Sequence, residues 1–169
     1  MKIAFVQFEA ENYAIQLFSA LLKQRGHQVY LIFDPRLFNT DEVRSASFAK
    51  FFDIRRNNLN KIKEISPDLI GFSVYTQDYQ YALEFARMIK QETPTIPIIF
   101  GGIHCILCPE QVIKEDCVDM VCAGEGENII DLLIEAIPKG KYIYSAKHLI
   151  QDLDSLPFID RDILYEQKP

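Results

Sequence analysis

No apolar run in this chain approaches the ~18 residues that a membrane-spanning helix needs. No leader of basic, apolar and small-residue regions is visible either, because Met1-Lys2-Ile3-Ala4-Phe5-Val6 reads straight into a strand. Together these absences lead to the expectation of a cytoplasmic chain with no membrane partner. Positive charge is short as well: 18 Lys and Arg against 24 Asp and Glu leave a net charge of −6, which argues against a nucleic-acid partner. The one basic cluster, Arg55, Arg56, Lys61 and Lys63, is diluted by acidic neighbours and reads as a solvated helix face. There is no internal repeat and no low-complexity segment. The phosphate cradle G-x-x-x-x-G-K-[ST] is missing, and no G-x-G-x-x-G follows the first strand. The first loop has no serine- and threonine-rich clamp for a flavin mononucleotide. The third strand ends in Ser73-Val74-Tyr75 rather than in the aspartate that a phospho-receiver requires.

Four cysteines are present. Cys105 and Cys108 form a lone C-x-x-C, whereas Cys117 and Cys122 are spaced by four residues, and Cys122 falls in a strand-like run. They read as reduced, small apolar side chains, with no metal site expected.

With 49% hydrophobic and 25% charged residues over 169 positions, the chain can build one packed domain. Its apolar residues fall into an alternating pattern. Strand-like runs at Lys2–Phe8, Gln28–Phe33, Leu69–Tyr75, Ile98–Phe100 and Val118–Cys122 are nearly continuous in apolar character, as expected of a parallel sheet buried on both faces. Between them lie helical stripes. Ala14, Leu17, Phe18, Leu21 and Leu22 stop at Gly26; Leu59, Ile62 and Ile65 stop at Ser66-Pro67. Ala82, Phe85, Ala86 and Ile89 form a third stripe, and Ile129, Leu132, Leu133 and Ala136 a last one. A short helix is expected from about Pro109 to Lys114. Residues 36–52 carry Phe38, Phe48, Phe51 and Phe52 without a steady period, and read as a long loop with a helical turn near Asp41 to Ala49. The pattern predicts an α/β fold: a doubly wound, flavodoxin-like (Rossmann-like) five-stranded parallel sheet with helices on both faces and strand order 2-1-3-4-5. Tyr142-Ile143-Tyr144 reads as a further short edge strand, and the text from Lys147 onward as a tether.

In such a sheet ligands bind beyond the carboxyl ends of the strands. Here the first strand exits into Glu9-Ala10-Glu11-Asn12, the third into Ser73-Val74-Tyr75-Thr76, the fourth into Gly101-Gly102-Ile103-His104 and the fifth into Ala123-Gly124-Glu125-Gly126-Glu127. Glycines without a β-carbon let a ligand approach the backbone, and Ser73 and Thr76 add hydroxyls at the same rim. Three such exits on one edge point to a pocket, although tight turns alone also favour glycine. Glu125 and Glu127 read as carboxylates that suit a helix N-terminus rather than as catalytic acids. No catalytic residue is assigned.

These motifs carry a resemblance. The helix text Asn12 to His27, the run Pro97-Ile98-Ile99-Phe100-Gly101-Gly102-Ile103-His104 followed by Pro109-Glu110, the run Val118 to Glu127, and Leu153-Asp154-Ser155-Leu156-Pro157-Phe158-Ile159-Asp160-Arg161 are similar, in that order, to the N-terminal cobalamin-binding domain of cobalamin-dependent radical S-adenosylmethionine enzymes. The resemblance implies that residues 1–145 bind cobalamin and that 146–169 is a linker toward a radical barrel domain of the same parent chain. It also implies that the nucleotide tail slots in at the strands' carboxyl ends, with the corrin across that edge. The cofactor-binding positions would be Glu11, Asn12, Tyr13, Ser73, Val74, Tyr75, Thr76, Gly101, Gly102, Ile103, His104, Gly124, Glu125 and Gly126, the Ser73 and Thr76 hydroxyls reaching the benzimidazole or ribose. An iron–sulfur cluster and S-adenosylmethionine would belong to the missing domain, whose C-x-x-x-C-x-x-C is nowhere in this chain; methyl transfer or related radical chemistry would be the parent's reaction.

There are departures. Cobalamin domains outside this family carry D-x-H-x-x-G after the first strand, with a histidine on cobalt. Aligning Glu9 with that aspartate puts Glu11 at the histidine and Ala14 at the glycine, so no histidine ligand is expected from this loop. His104 is expected to be buried and hydrogen-bonded rather than a ligand. Ala14 and the bulky Phe8, Tyr13 and Tyr75 near the rim keep open a degenerate domain that serves docking or substrate recognition without the cofactor. Half of a two-domain sugar transferase is a third reading, which the linker text disfavours.

Overall fold

A computed structural model of the chain describes residues 1–40, 43–128, 130–135, 140–145 and 149–166. Its centre is a parallel sheet of β1 (Lys2–Phe8), β2 (Gln28–Asp34), β3 (Leu69–Ser73), β4 (Ile98–Gly101), β5 (Met120–Ala123) and β6 (Tyr142–Ser145), in the order β2-β1-β3-β4-β5-β6. The five-strand expectation is extended by one: the Tyr142 segment pairs in parallel with β5, Val121 opposite Ile143. Its residues are exposed or half-buried, as at an edge, whereas β3 and β4 are buried up to their last residue because both their faces are covered.

The helices are α1 (Tyr13–Gln24), α2 (Ala46–Phe51), α3 (Arg55–Ile65), α4 (Tyr79–Glu92), α5 (Ile103–Leu107), α6 (Pro109–Val112), α7 (Ile130–Glu135) and α8 (Asp162–Tyr165). None of them is long and apolar enough to cross a membrane. The α1 stop is a Schellman turn: Gly26 takes φ +80°, its N–H donates to the Lys23 carbonyl, and the His27 N–H donates to that of Leu22. The fourth crossover begins earlier than expected, at Ile103 directly after the Gly101-Gly102 turn, with the Pro109 helix following as a second short piece. Of the last stripe, Ile129 and Ala136 lie outside the described residues.

Side-chain alternation divides the core in two. Ala4, Val6, Ile70, Phe72, Ile98, Phe100 and Val121 pack against α3, α4 and α6. Ile3, Leu69, Ile99, Met120 and Cys122 face α1, α7 and α8. The aromatic-rich segment 36–52 forms α2, later than the helical turn expected near Asp41 to Ala49; Asp41 and Glu42 are outside the described residues. It is tied down by Arg36, whose buried guanidinium pairs with Asp78 and, at 2.8 Å, with Glu9. Arg36 and Arg55 lie 4.8 and 4.6 Å from the ring centre of Tyr81, which donates its hydroxyl to Asp34 at 2.7 Å.

The text read as a tether is partly bound. The Asp160 N–H donates to the Gln16 carbonyl, and its carboxylate accepts from Ser19 at 2.6 Å and pairs with Lys23 at 2.7 Å. Ile163 is buried in the α1 face of the core. Residues 146–148 lie outside the described residues.

Candidate functional site

The two faces of the sheet differ in how their side chains change along the strands. On the α4 face, β3 and β4 carry large residues to their ends, Ile70 and Phe72, Ile98 and Phe100. On the α1 face the same strands taper: Leu69 gives way to Gly71 and Ser73, Ile99 to Gly101, and Met120 on β5 to Cys122. The register places Gly71 beside Ile99 and Ser73 beside Gly101, so the small residues lie together toward the carboxyl edge. Helices α1 and α7 therefore cannot close on the sheet there. A cavity of about 530 Å³ opens between them, within the ~300–1,000 Å³ range of small-molecule sites.

Its walls are mostly apolar: Phe5 from β1, Ile15 and Phe18 from α1, and Ile130 and Ile134 from α7 line it. Phe5 lies opposite Gly71 in the register, and a β-carbon on Gly71 would sit 2.7 Å from the Phe5 ring. One on Gly126 would sit 2.5 Å from the Phe18 ring. Both glycines are thus seats for aromatic rings, whose centres are 6.2 Å apart. Gly102 has a different constraint. It takes φ +93°, and a β-carbon would lie 2.7 Å from the Val74 amide nitrogen and 2.8 Å from its carbonyl oxygen, so the turn after β4 admits glycine alone.

Polar groups collect at the mouth. Asn12 caps α1: its Oδ1 accepts the Ile15 N–H at 3.2 Å, which leaves Nδ2 to donate to Ser73 Oγ at 3.1 Å. The Ser73 oxygen is thereby used as an acceptor and its hydrogen is left for an acceptor in the cavity. Glu125 lines the mouth too, and its carboxylate accepts the Ile150 N–H at 2.7 Å, holding the returning chain beside Leu149 at the cavity wall.

Of the residues expected at the site, Ser73, Gly101, Gly102, Ile103, Gly124, Glu125 and Gly126 line the cavity. Asn12 stands behind Ser73. Glu11, Tyr13 and Tyr75 are exposed beside it, Glu11 accepting from the Gln16 amide. Val74 is not at the surface: it is 1% exposed and packs in the core on the α4 face, because it follows Ser73 with the opposite orientation. Phe8, expected near the rim, is in that same core. The Thr76 hydroxyl is engaged with His104 Nδ1 at 3.2 Å and does not reach the cavity. His104 is buried, with its ring 4.0 Å from that of Tyr79 and its Nε2 without a hydrogen-bond partner among the described residues; burial holds its pKa below the ordinary value. Burial likewise pushes the Cys105 and Cys122 thiols up to about 12. Sequence reasoning missed Phe5, Phe18 and Gly71, taking the first two for core; a glycine inside an otherwise apolar strand was the available signal.

Residues 3–134 match the family model of the B12 binding domain. The chain belongs to the B12-binding domain family. It is similar to an uncharacterized methyltransferase of Pyrococcus horikoshii, with 28% identity over 120 residues, covering 61% of this chain and 26% of that protein. The cobalamin-dependent radical SAM methyltransferase TokK of Streptomyces tokunonensis is 28% identical over 64 residues, covering 37% of this chain and 9% of that protein. Among solved structures, the radical S-adenosylmethionine methyltransferase TsrM of Kitasatospora setae superposes with a TM-score of 0.64 at 19% identity, over 82% of this chain and 26% of that one. The chain therefore spans about a quarter or less of the length of these relatives, and the TsrM likeness establishes the shared flavodoxin-like architecture.

Proposed function

We propose that this B12-binding domain holds cobalamin with its nucleotide tail in the cavity between the sheet and helices α1 and α7, and that it serves as the cofactor module of a radical S-adenosylmethionine methyltransferase. The observation that carries the reading is the taper of β3, β4 and β5 toward Gly71, Ser73, Gly101 and Cys122, which opens one face of the sheet at its carboxyl edge. The residues present suit the group. Phe5 and Phe18 offer ring faces and edges to a planar base. Ser73, oriented by Asn12, offers a hydroxyl hydrogen to the ring nitrogen that a base released from cobalt leaves free. Gly102 and Gly124 keep the mouth clear of side chains for the ribose and phosphate.

Beside the mouth, Tyr13, Tyr75, Ile103, Ile106 and Leu107 form an exposed apolar rim that suits the corrin edge and the face of a following radical domain. Bound cobalamin supplies a transferable methyl group or one-electron chemistry at cobalt. The chain's own part is to bind the tail, fix the ring at the rim and exclude water from the base. His104, turned inward against Tyr79, takes no part at cobalt in this reading. The iron–sulfur cluster, the S-adenosylmethionine and the methyl acceptor belong, in the same reading, to other domains of the parent enzyme.

The test is retention of colour. The domain is mixed with hydroxocobalamin, passed through gel filtration and scanned in the visible range, alongside Gly101→Leu. A β-carbon at Gly101 finds ordinary spacing, 3.7 Å to Cys122 Cβ, so this change fills the mouth without backbone strain. The expected result is corrin absorbance with the native domain and none with a folded Gly101→Leu. A native domain that elutes folded and colourless, or a variant that stays equally coloured, overturns the placement.

A further inference from the structure

The lining of the cavity contains few polar side chains. Among its described residues only Ser73, Glu125 and Glu127 carry oxygen or nitrogen beyond the backbone, and all three stand at the carboxyl edge. Glu125 already accepts the Ile150 amide. The inner end is made by Ile3, Leu22, Leu69 and Ile99, with Ile130 and Ile134 above them. The backbone groups of the floor are spent on the ladders between β1, β3 and β4. A group that reaches the inner end meets hydrocarbon, two phenyl rings and the Cys122 thiol.

Natural corrinoids share the corrin and differ in the base at the end of the tail. A dimethylbenzimidazole released from cobalt has one free ring nitrogen. A phenolic base has none. An adenine brings several ring nitrogens and an exocyclic amine. Resting on the tail placement above, we infer that this cavity selects corrinoids by their lower base, accepting benzimidazole and phenolic bases and rejecting purines. One nitrogen can be met by the Ser73 hydroxyl at the mouth. The further polar atoms of a purine would be carried inward and buried without partners, an unfavourable transfer that the free ligand in water does not suffer. A phenolic base forfeits only the Ser73 hydrogen bond and carries no further polar atoms inward, while Phe5 and Phe18 still meet its flat apolar ring.

The experiment compares dissociation constants of four ligands for the domain by absorbance titration. They are benzimidazolyl, cresolyl and adeninyl cobamides and cobinamide, which lacks the tail. All are used in the dicyano form, so that the base is free of cobalt in each. The expected order is cresolyl weaker than benzimidazolyl by a few-fold, as for loss of the Ser73 hydrogen bond, and adeninyl weaker than cresolyl and at least about tenfold below benzimidazolyl, with cobinamide also weaker than benzimidazolyl. Adeninyl binding as tightly as benzimidazolyl while cobinamide stays weak overturns the selectivity and leaves the tail placement standing. Cobinamide binding as tightly as the three cobamides overturns both.

Discussion

Replacing Gly71 by alanine separates the fold from its ligand. The new β-carbon would sit 2.7 Å from Cδ1 and Cε1 of Phe5, so the ring must move, and the space open to it is the cavity. In the free domain the exchange is nearly neutral. Alanine in a strand interior gains about 0.5–1 kcal/mol over glycine, and turning one ring off its preferred rotamer costs about 0.5–1.5 kcal/mol. With the tail bound the ring has nowhere to go, and overpacking of this size costs about 1–3 kcal/mol, or about 5- to 150-fold in the dissociation constant. Urea unfolding of the free domain and absorbance titration with hydroxocobalamin read the two effects separately. In a Phe5→Leu background the same substitution meets no ring, so its effect on affinity shrinks toward zero. An unchanged affinity for Gly71→Ala, together with an unchanged unfolding midpoint, would refute the claim that the tail lies against Phe5.

Ser73→Ala removes the donor at the mouth and weakens cobalamin binding by about 0.5–1.5 kcal/mol, a few-fold to about tenfold, with little change in stability; Asn12→Ala weakens binding similarly and also costs α1 its cap, about 1 kcal/mol by urea unfolding. Ile163→Ala destabilises the domain by about 2–5 kcal/mol if the returning chain is part of the core, and by almost nothing if it is a free tether; urea unfolding distinguishes them. The His104 pKa is lowered by burial, so the unfolded chain takes up the proton first: stability is full above the ordinary histidine value of 6.5 and falls as pH drops from there through the folded value. Unfolding midpoints at pH 8 and pH 5.5 should therefore diverge more for the native domain than for His104→Gln.

The alternation of strand and helix was legible because parallel strands covered on both faces must be apolar throughout and the helices between them must carry a stripe. Gly26 and Ser66 marked their helix ends for local reasons, and Ser66 takes φ +50° there. The mouth was legible too, since glycines after β4 and β5 are local features. The interior was not. Phe5 and Phe18 have the spacing of core residues, and only the register that sets Phe5 against Gly71 shows that they border a void. Val74 and Thr76 follow Ser73 directly past the end of β3, but one turns into the opposite core and the other toward His104, which depends on packing between β4 and α5 rather than on spacing. Arg36, one charge in a loop without a period, gave no sign that it would be buried between Glu9 and Asp78.

The most direct test of the tail placement is the proton NMR spectrum of the phenylalanine rings during titration with diamagnetic cobalamin. Phe5 and Phe18 line the cavity, whereas Phe85 and Phe100 are fully buried on the opposite face of the sheet and serve as internal references. The Phe5 and Phe18 signals are expected to shift and to show cross-relaxation with the benzimidazole methyl protons while the two references stay in place. Binding that leaves Phe5 and Phe18 unmoved, with changes confined to Tyr13, Tyr75 and Ile103 at the rim, contradicts it.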